Sequence, residues 1–176
     1  MPDENENSLY QKQKAEKPRI EEVIPDYLSG EMRALALDFA AYLREKKMSP
    51  GWASGNSWKS SYKGKGICYV KLLSFVREKN RYSWAIALLP SDWRRYENWL
   101  ESDGLMETLS ANPWYCHGCG RPDGESCGRK RDAEVNGRTI EGVCGNNFLT
   151  WFCDPNAEAM DAIKRILEKE RASCST

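Results

Sequence analysis

The chain has 176 residues, 40% hydrophobic and 30% charged, with 26 Lys+Arg against 26 Asp+Glu. That length fits one domain, or one domain plus a small module. The zero net charge gives the whole chain no nucleic-acid or membrane footprint, and no apolar run reaches the ~18 residues of a membrane span.

Residues 1–20 are polar, with Pro2 and Pro18 and few apolar groups. Such a segment buries too little surface to offset chain entropy, so a disordered tail is expected there, and a single α+β domain over 21–176. MPDENENSLYQKQK also lacks the apolar region of a signal peptide. Residues 27–47 predict the first helix, with Ser29 as N-cap and Met32, Leu35, Ala36, Phe39, Ala40 and Leu43 on one face. Ser49-Pro50-Gly51 stops it.

Residues 52–62, WASGNSWKSSY, alternate as a strand, and Lys63-Gly64-Lys65-Gly66 is a turn signal. ICYVKLLSFV at 67–76 and YSWAIALL at 82–89 read as two further strands, separated by the polar turn 77–81. Three strands joined by two turns make an antiparallel meander. Ser91 is expected to cap a helix through 102, with Trp93, Tyr96, Trp99 and Leu100 inward. FLTWF at 148–152 has the composition of another strand. A last helix follows, with Asp154 expected as its N-cap and Pro155 at its first position. The fold class expected is therefore α+β: a small antiparallel sheet, a three-strand meander plus one C-terminal strand, packed by helices.

The most specific signal is the Cys-rich loop 114–146. Cys116, Cys119, Cys127 and Cys144 are spaced C-x2-C-x7-C-x16-C, and three of them precede a glycine. Four thiolates suit a closed tetrahedral zinc site, and Gly120 after the second cysteine lets the backbone curl so that its amide can support a thiolate. The expected cofactor is a structural Zn2+ on these four residues. Plain or redox thiols and an iron–sulfur cluster are the other readings of such cysteines. Cys153 is a candidate replacement ligand, and His117 a knuckle residue pointing away. Seven clustered cysteines, an odd number, fit a reducing cytoplasm better than a disulfide scaffold.

The single histidine sits in that knuckle, which leaves no free base for a Ser-His-Asp or Cys-His arrangement. G-x-S-x-G, G-x-x-x-x-G-K-[ST] and G-x-G-x-x-G are absent. No catalytic residue is assigned. Between Arg44 and Arg95 there are twelve Lys or Arg against three Asp or Glu, interleaved with aromatics. Such a surface can hold a small molecule or a partner, or stack and pair with nucleic acid. The plain alternative is that the aromatics are sheet core and the lysines its wet face. The candidate ligand-binding residues are Trp52, Trp58, Tyr62, Trp84, Lys59 and Arg81, with Trp58 expected to be solvent-exposed among Ser, Gly and Asn.

WASGNSWKSSYKGKGICYVKL at 52–72, Cys116 and Cys119, GRTIEGVC at 137–144 and DPNAEAMDAIKRILEKER at 154–171 carry a resemblance. From Trp52 to Ala172 the chain resembles small proteins of Firmicutes with an α+β domain similar to the YdhG-like domains, closing with a cysteine loop, a strand and a helix. The resemblance implies that fold and loop and carries over no activity. The functional expectation is a cytoplasmic small-molecule or partner-binding domain stapled by zinc. The alternatives are a metal- or thiol-dependent enzyme and a weak nucleic-acid binder.

Overall fold

The period-two patterns of the middle of the chain form a sheet, and the 3–4 stripes at its two ends form the helices that cover one face. In the computed structural model, residues 11–72, 82–89, 115–116, 128–135, 138–145 and 151–174 are described. In chain order the elements are helix α1 (residues 11–16), α2 (Ile20–Tyr27), α3 (Gly30–Glu45), strands β1 (Pro50–Ser54), β2 (Ser57–Tyr62), β3 (Lys65–Leu72), β4 (Trp84–Leu88), β5 (Lys130–Val135), β6 (Arg138–Cys144), β7 (Trp151–Cys153) and helix α4 (Ala157–Ser173). The α+β class is as expected. The sheet is antiparallel in the order β1-β2-β3-β4-β7, and β5-β6 is a separate two-stranded ribbon.

Three elements differ from the sequence reading. Residues 52–62 are not one strand, because Asn56 adopts φ +50° and folds the segment into a hairpin with Trp52 opposite Trp58. The next turn, Lys63-Gly64, has positive φ at both residues, the backbone hand that matches strand twist in a two-residue hairpin. The cysteine-rich stretch is not all loop, since it contains β5-β6. The last helix is capped by Asn156, whose Oδ1 accepts from Ala159 N at 2.9 Å. Asp154 instead sits at φ +43° and accepts from the amides of Ser83 (2.8 Å) and Trp84 (3.0 Å), tying the chain after β7 to the start of β4.

Residues 11–20 also differ from a loose tail. Residues 11–16 are helical, and Gln13 is buried. Its Oε1 accepts from Asn56 N at 2.8 Å and Trp52 Nε1 at 3.3 Å, while its Nε2 donates to Asn56 Oδ1 at 2.7 Å. One amide side chain thus fastens α1 to the β1-β2 turn. Helix α2 follows with Ile20, Val23 and Ile24 buried at helical spacing, and α3 begins directly after Ser29. Arg44 on α3 makes a two-pronged ion pair with Glu21 on α2, a geometry a planar guanidinium matches to a carboxylate.

Directly opposed residues of an antiparallel pair share a face. The row Trp58–Val70–Ile86–Phe152 therefore points one way, with Cys68 and Leu88 on one side of it and Leu72 and Trp84 on the other. All are buried, together with Phe39 and Leu43 of α3 and Ile163 and Leu167 of α4. This is the main core, lying between the helices and the first face of the sheet.

Candidate functional site

The second face of the sheet has a different chemistry. Its rows are Lys59–Tyr69–Ala87–Trp151 and Ser57–Lys71–Ala85–Cys153. Alanines at both positions of β4 leave room above the strand. Lys71, on β3, leans across it until Nζ stands 5.0 Å from the centroid of the Trp151 ring on β7. Lys59 Nζ lies 5.9 Å from the centroid of Tyr69. Both are cation–π pairs within the ~6 Å range. Gly66 makes the second one possible, since a Cβ there would come within 2.5 Å of Lys59 Cε.

Between these side chains lies a cavity of about 230 Å3, lined by Tyr69, Lys71, Ala87 and Trp151, with Ser54 and Ser57 on the β1-β2 side. Burial holds the Lys71 amine below the ordinary lysine range, because desolvation penalises the charged form. No salt bridge joins Lys71 to a carboxylate among the described residues.

The six expected ligand-binding residues divide. Lys59 is exposed on the cavity face, where Tyr69 holds it. Trp52 is half-buried and donates to Gln13. Trp58 and Trp84 are both 0% exposed and face the helices. The expected exposed ring at Trp58 is therefore corrected: alternation along β2 turns it into the main core under the helices, and Nε1 donates to Pro18 O at 2.9 Å. Tyr62 is half-buried with Lys63 Nζ and Arg171 Cζ each 5.7 Å from its ring. Arg81 lies outside the described residues. Sequence reasoning missed Lys71 and Trp151. The signal was present in the alternation of ICYVKL and WAIAL, which puts Tyr69 and Lys71 opposite the apolar face and only alanines on the second face of β4.

The cysteines meet this face at its edge. Tyr115 bridges Val143, and Cys116 N donates to Gly142 O at 2.9 Å, so residue 116 runs antiparallel beside β6. Cys116 thus opposes Gly142, and Cys144 lies two residues along on the same side, the diagonal placement with Cβ atoms roughly 7 Å apart. Gly142 itself has φ +73° and forms a bulge with Glu141 opposite Asp132, whose Oδ1 accepts its amide at 2.9 Å. A glycine in this conformation is what such a bulge requires. Cys144 is buried in a second apolar cluster with Tyr82, Ala85, Ala87 and Trp151, against which Tyr69 and Cys153 pack. The cysteine ribbon and the cavity therefore share Trp151.

Cys119, Cys127 and His117 lie outside the described residues. Among the described residues, no three His, Cys, Asp or Glu side chains gather as a metal site. Gly120, the glycine expected to support a thiolate, lies outside the described residues, and the amide of Gly145 donates to Arg129 O at 3.0 Å. Burial and the adjacent Asp154 push the Cys153 thiol up to about 12. Burial likewise pushes Cys68 up to about 12, against a smaller opposite effect of the Ser60 hydroxyl. Both are protonated at neutral pH, and buried thiols of this kind are inert. Among the described residues, no helix is long and apolar enough to cross a membrane.

The chain matches no protein-family profile, and comparisons with curated proteins and with solved structures give no match.

Proposed function

We propose that this chain is a cytoplasmic binding domain that holds a small molecule on the second face of its sheet and is stapled by a structural zinc on Cys116, Cys119, Cys127 and Cys144. One observation carries the binding reading: a cavity flanked by Tyr69 and Trp151 that contains a half-buried lysine with no carboxylate partner among the described residues. A few polar groups converging in a mostly apolar concavity is how small-molecule sites are built. The site is moved from the Trp58 face to the opposite one, because Trp58 and Trp84 are closed by the helices. Their burial also removes two stacking residues from the nucleic-acid alternative.

The zinc belongs to the same reading. Its supports are the glycine-flanked cysteine spacing and the placement of Cys116 and Cys144 on one side of neighbouring strands. A bound zinc would supply folding energy to the ribbon and no reaction step. The relation to YdhG-like α+β domains remains part of this proposal and rests on the segments quoted above. Purified protein should contain about one zinc per chain, with four thiolate ligands by X-ray absorption. Metal-free protein with reactive Cys116 and Cys119 thiols would sink the staple.

A further inference from the structure

We infer that the second-face cavity selects small aromatic carboxylates; this rests on the binding reading above and names its ligand class. Tyr69 and Trp151 occupy the same cross-strand row on either side of Ala87. Two strand spacings separate them, roughly 9–10 Å. A flat ring in van der Waals contact on both sides needs roughly 7 Å, so the backbone spacing of the row would admit one planar group over the Ala87 methyl once the Lys71 chain swings off the Trp151 ring.

The charge preference follows from Lys71. Its Nζ already projects into this gap above the Trp151 ring. Burial disfavours the ammonium, and no salt bridge offsets that penalty among the described residues. An entering carboxylate would restore the missing partner, and Ser54 and Ser57 line the β1-β2 side, where a further hydroxyl contact is in reach. Size sets the upper limit. At about 230 Å3 the cavity lies below the ~300 Å3 where drug-sized pockets begin, which suits one ring with one acidic group. Phosphate fits poorly, because a strongly hydrated dianion loses more on entering an apolar cleft than a delocalised monoanion does.

Benzoate, benzamide and inorganic phosphate, titrated into the full chain, separate the possibilities. The readout is the NMR signals of the Lys71 and Ala87 amides and the Trp151 indole N–H. Benzoate should shift all three saturably. Benzamide, its neutral isostere, should bind about 10–100-fold more weakly, the worth of one charge-assisted hydrogen bond. Lys71→Met should make the two aromatics bind alike. Ala87→Leu, which fills the floor and leaves Lys71 in place, should abolish benzoate shifts while the other amide signals keep their positions. Equal binding of benzoate and benzamide to wild type would overturn the carboxylate class and leave the site standing. Tighter binding of phosphate would overturn the aromatic part. If neither aromatic moves these signals, the site itself is wrong.

Discussion

At the scale of single residues, the outcome turned on which neighbours a side chain has in space. Trp58 sits among Ser, Gly and Asn in sequence, yet its ring is closed by the main core and its indole N–H is used by Pro18. Trp58→Phe should therefore leave the iodide-quenchable tryptophan fluorescence unchanged. It should also lower stability by about 1–3 kcal/mol by leaving the Pro18 carbonyl without its donor. A loss of quenchable signal in the variant would show that solvent reaches this ring after all. Glu21 is a second residue with a legible consequence. Its hydrogen bond from Arg44 holds the carboxyl below its ordinary value of 4.5. The ionised form is favoured on folding, so this contribution is complete above the ordinary value and fades as pH falls through the lowered one. Urea midpoints of wild type and Glu21→Gln should differ at neutral pH and converge as pH falls through the lowered value. A constant gap would mean that Arg44 gains nothing from the charge. The ion pair itself was not readable from the sequence, since Glu21 lies on α2, which the expected helix 27–47 left out.

Among the elements, those with strong apolar periodicity were legible and those held by single polar contacts were not. The stripe Ala36, Phe39, Ala40, Leu43 fixed α3, and Met160, Ile163, Ile166, Leu167 fixed α4. Helix α1 has no such stripe, and Gln13 fastens it by a contact made across 43 residues to Asn56. Strand β5, KRDAEV, reads as a charged loop because, of its described side chains, only Ala133 packs inward, against the main core. The candidate site failed to appear for a register reason. The basic and aromatic residues of 44–95 were legible as a group, but a one-residue offset decides the face, and Trp58 and Lys59 are adjacent. Gly145 is constrained by a close approach that its place after a cysteine does not reveal. A Cβ at Gly145 would lie 2.3 Å from the Arg129 carbonyl oxygen, so the residue is small because β5 and β6 close there. Gly145→Ala should force this end of the ribbon apart and displace Cys144. Measured zinc per chain should fall several-fold, whereas Gly51→Ala, with nothing within 4 Å of the new methyl, should keep its metal. Full zinc in Gly145→Ala would show that this closure is not needed to place Cys144.

For the whole molecule, the described elements differ sharply in what holds them. Strands β1 to β4 lie on a core that contains Trp58, Trp84, Phe39 and Leu43, each fully buried. The ribbon β5-β6 reaches that core through a few groups: Val143 belongs to it, and Ala133 and Ile140 pack against it. Of its described side chains, Lys130, Arg131, Asp132, Glu134, Thr139 and Glu141 are exposed, and only Val143 and Cys144 are buried. A two-stranded hairpin is marginal by itself in water, and here one further bridge, Tyr115 to Val143, extends it. A ribbon so built needs a second fastening, and a metal shared between Cys116 beside β6 and Cys144 at its end would provide one, because metal binding to a segment without a core is folding energy for that segment. Local opening is governed by the least buried unit. Stripping the metal with a chelator should therefore speed amide exchange at Arg131, Val143 and Cys116 by orders of magnitude, while Val70 and Ile86 keep their protection. The Trp151 indole signal should shift in the same experiment, since Cys144 packs in its cluster. Equal exchange in the ribbon with and without chelator would show that Val143, Tyr115 and the packing of Ala133 and Ile140 hold it without metal, and would remove the zinc staple from the proposal.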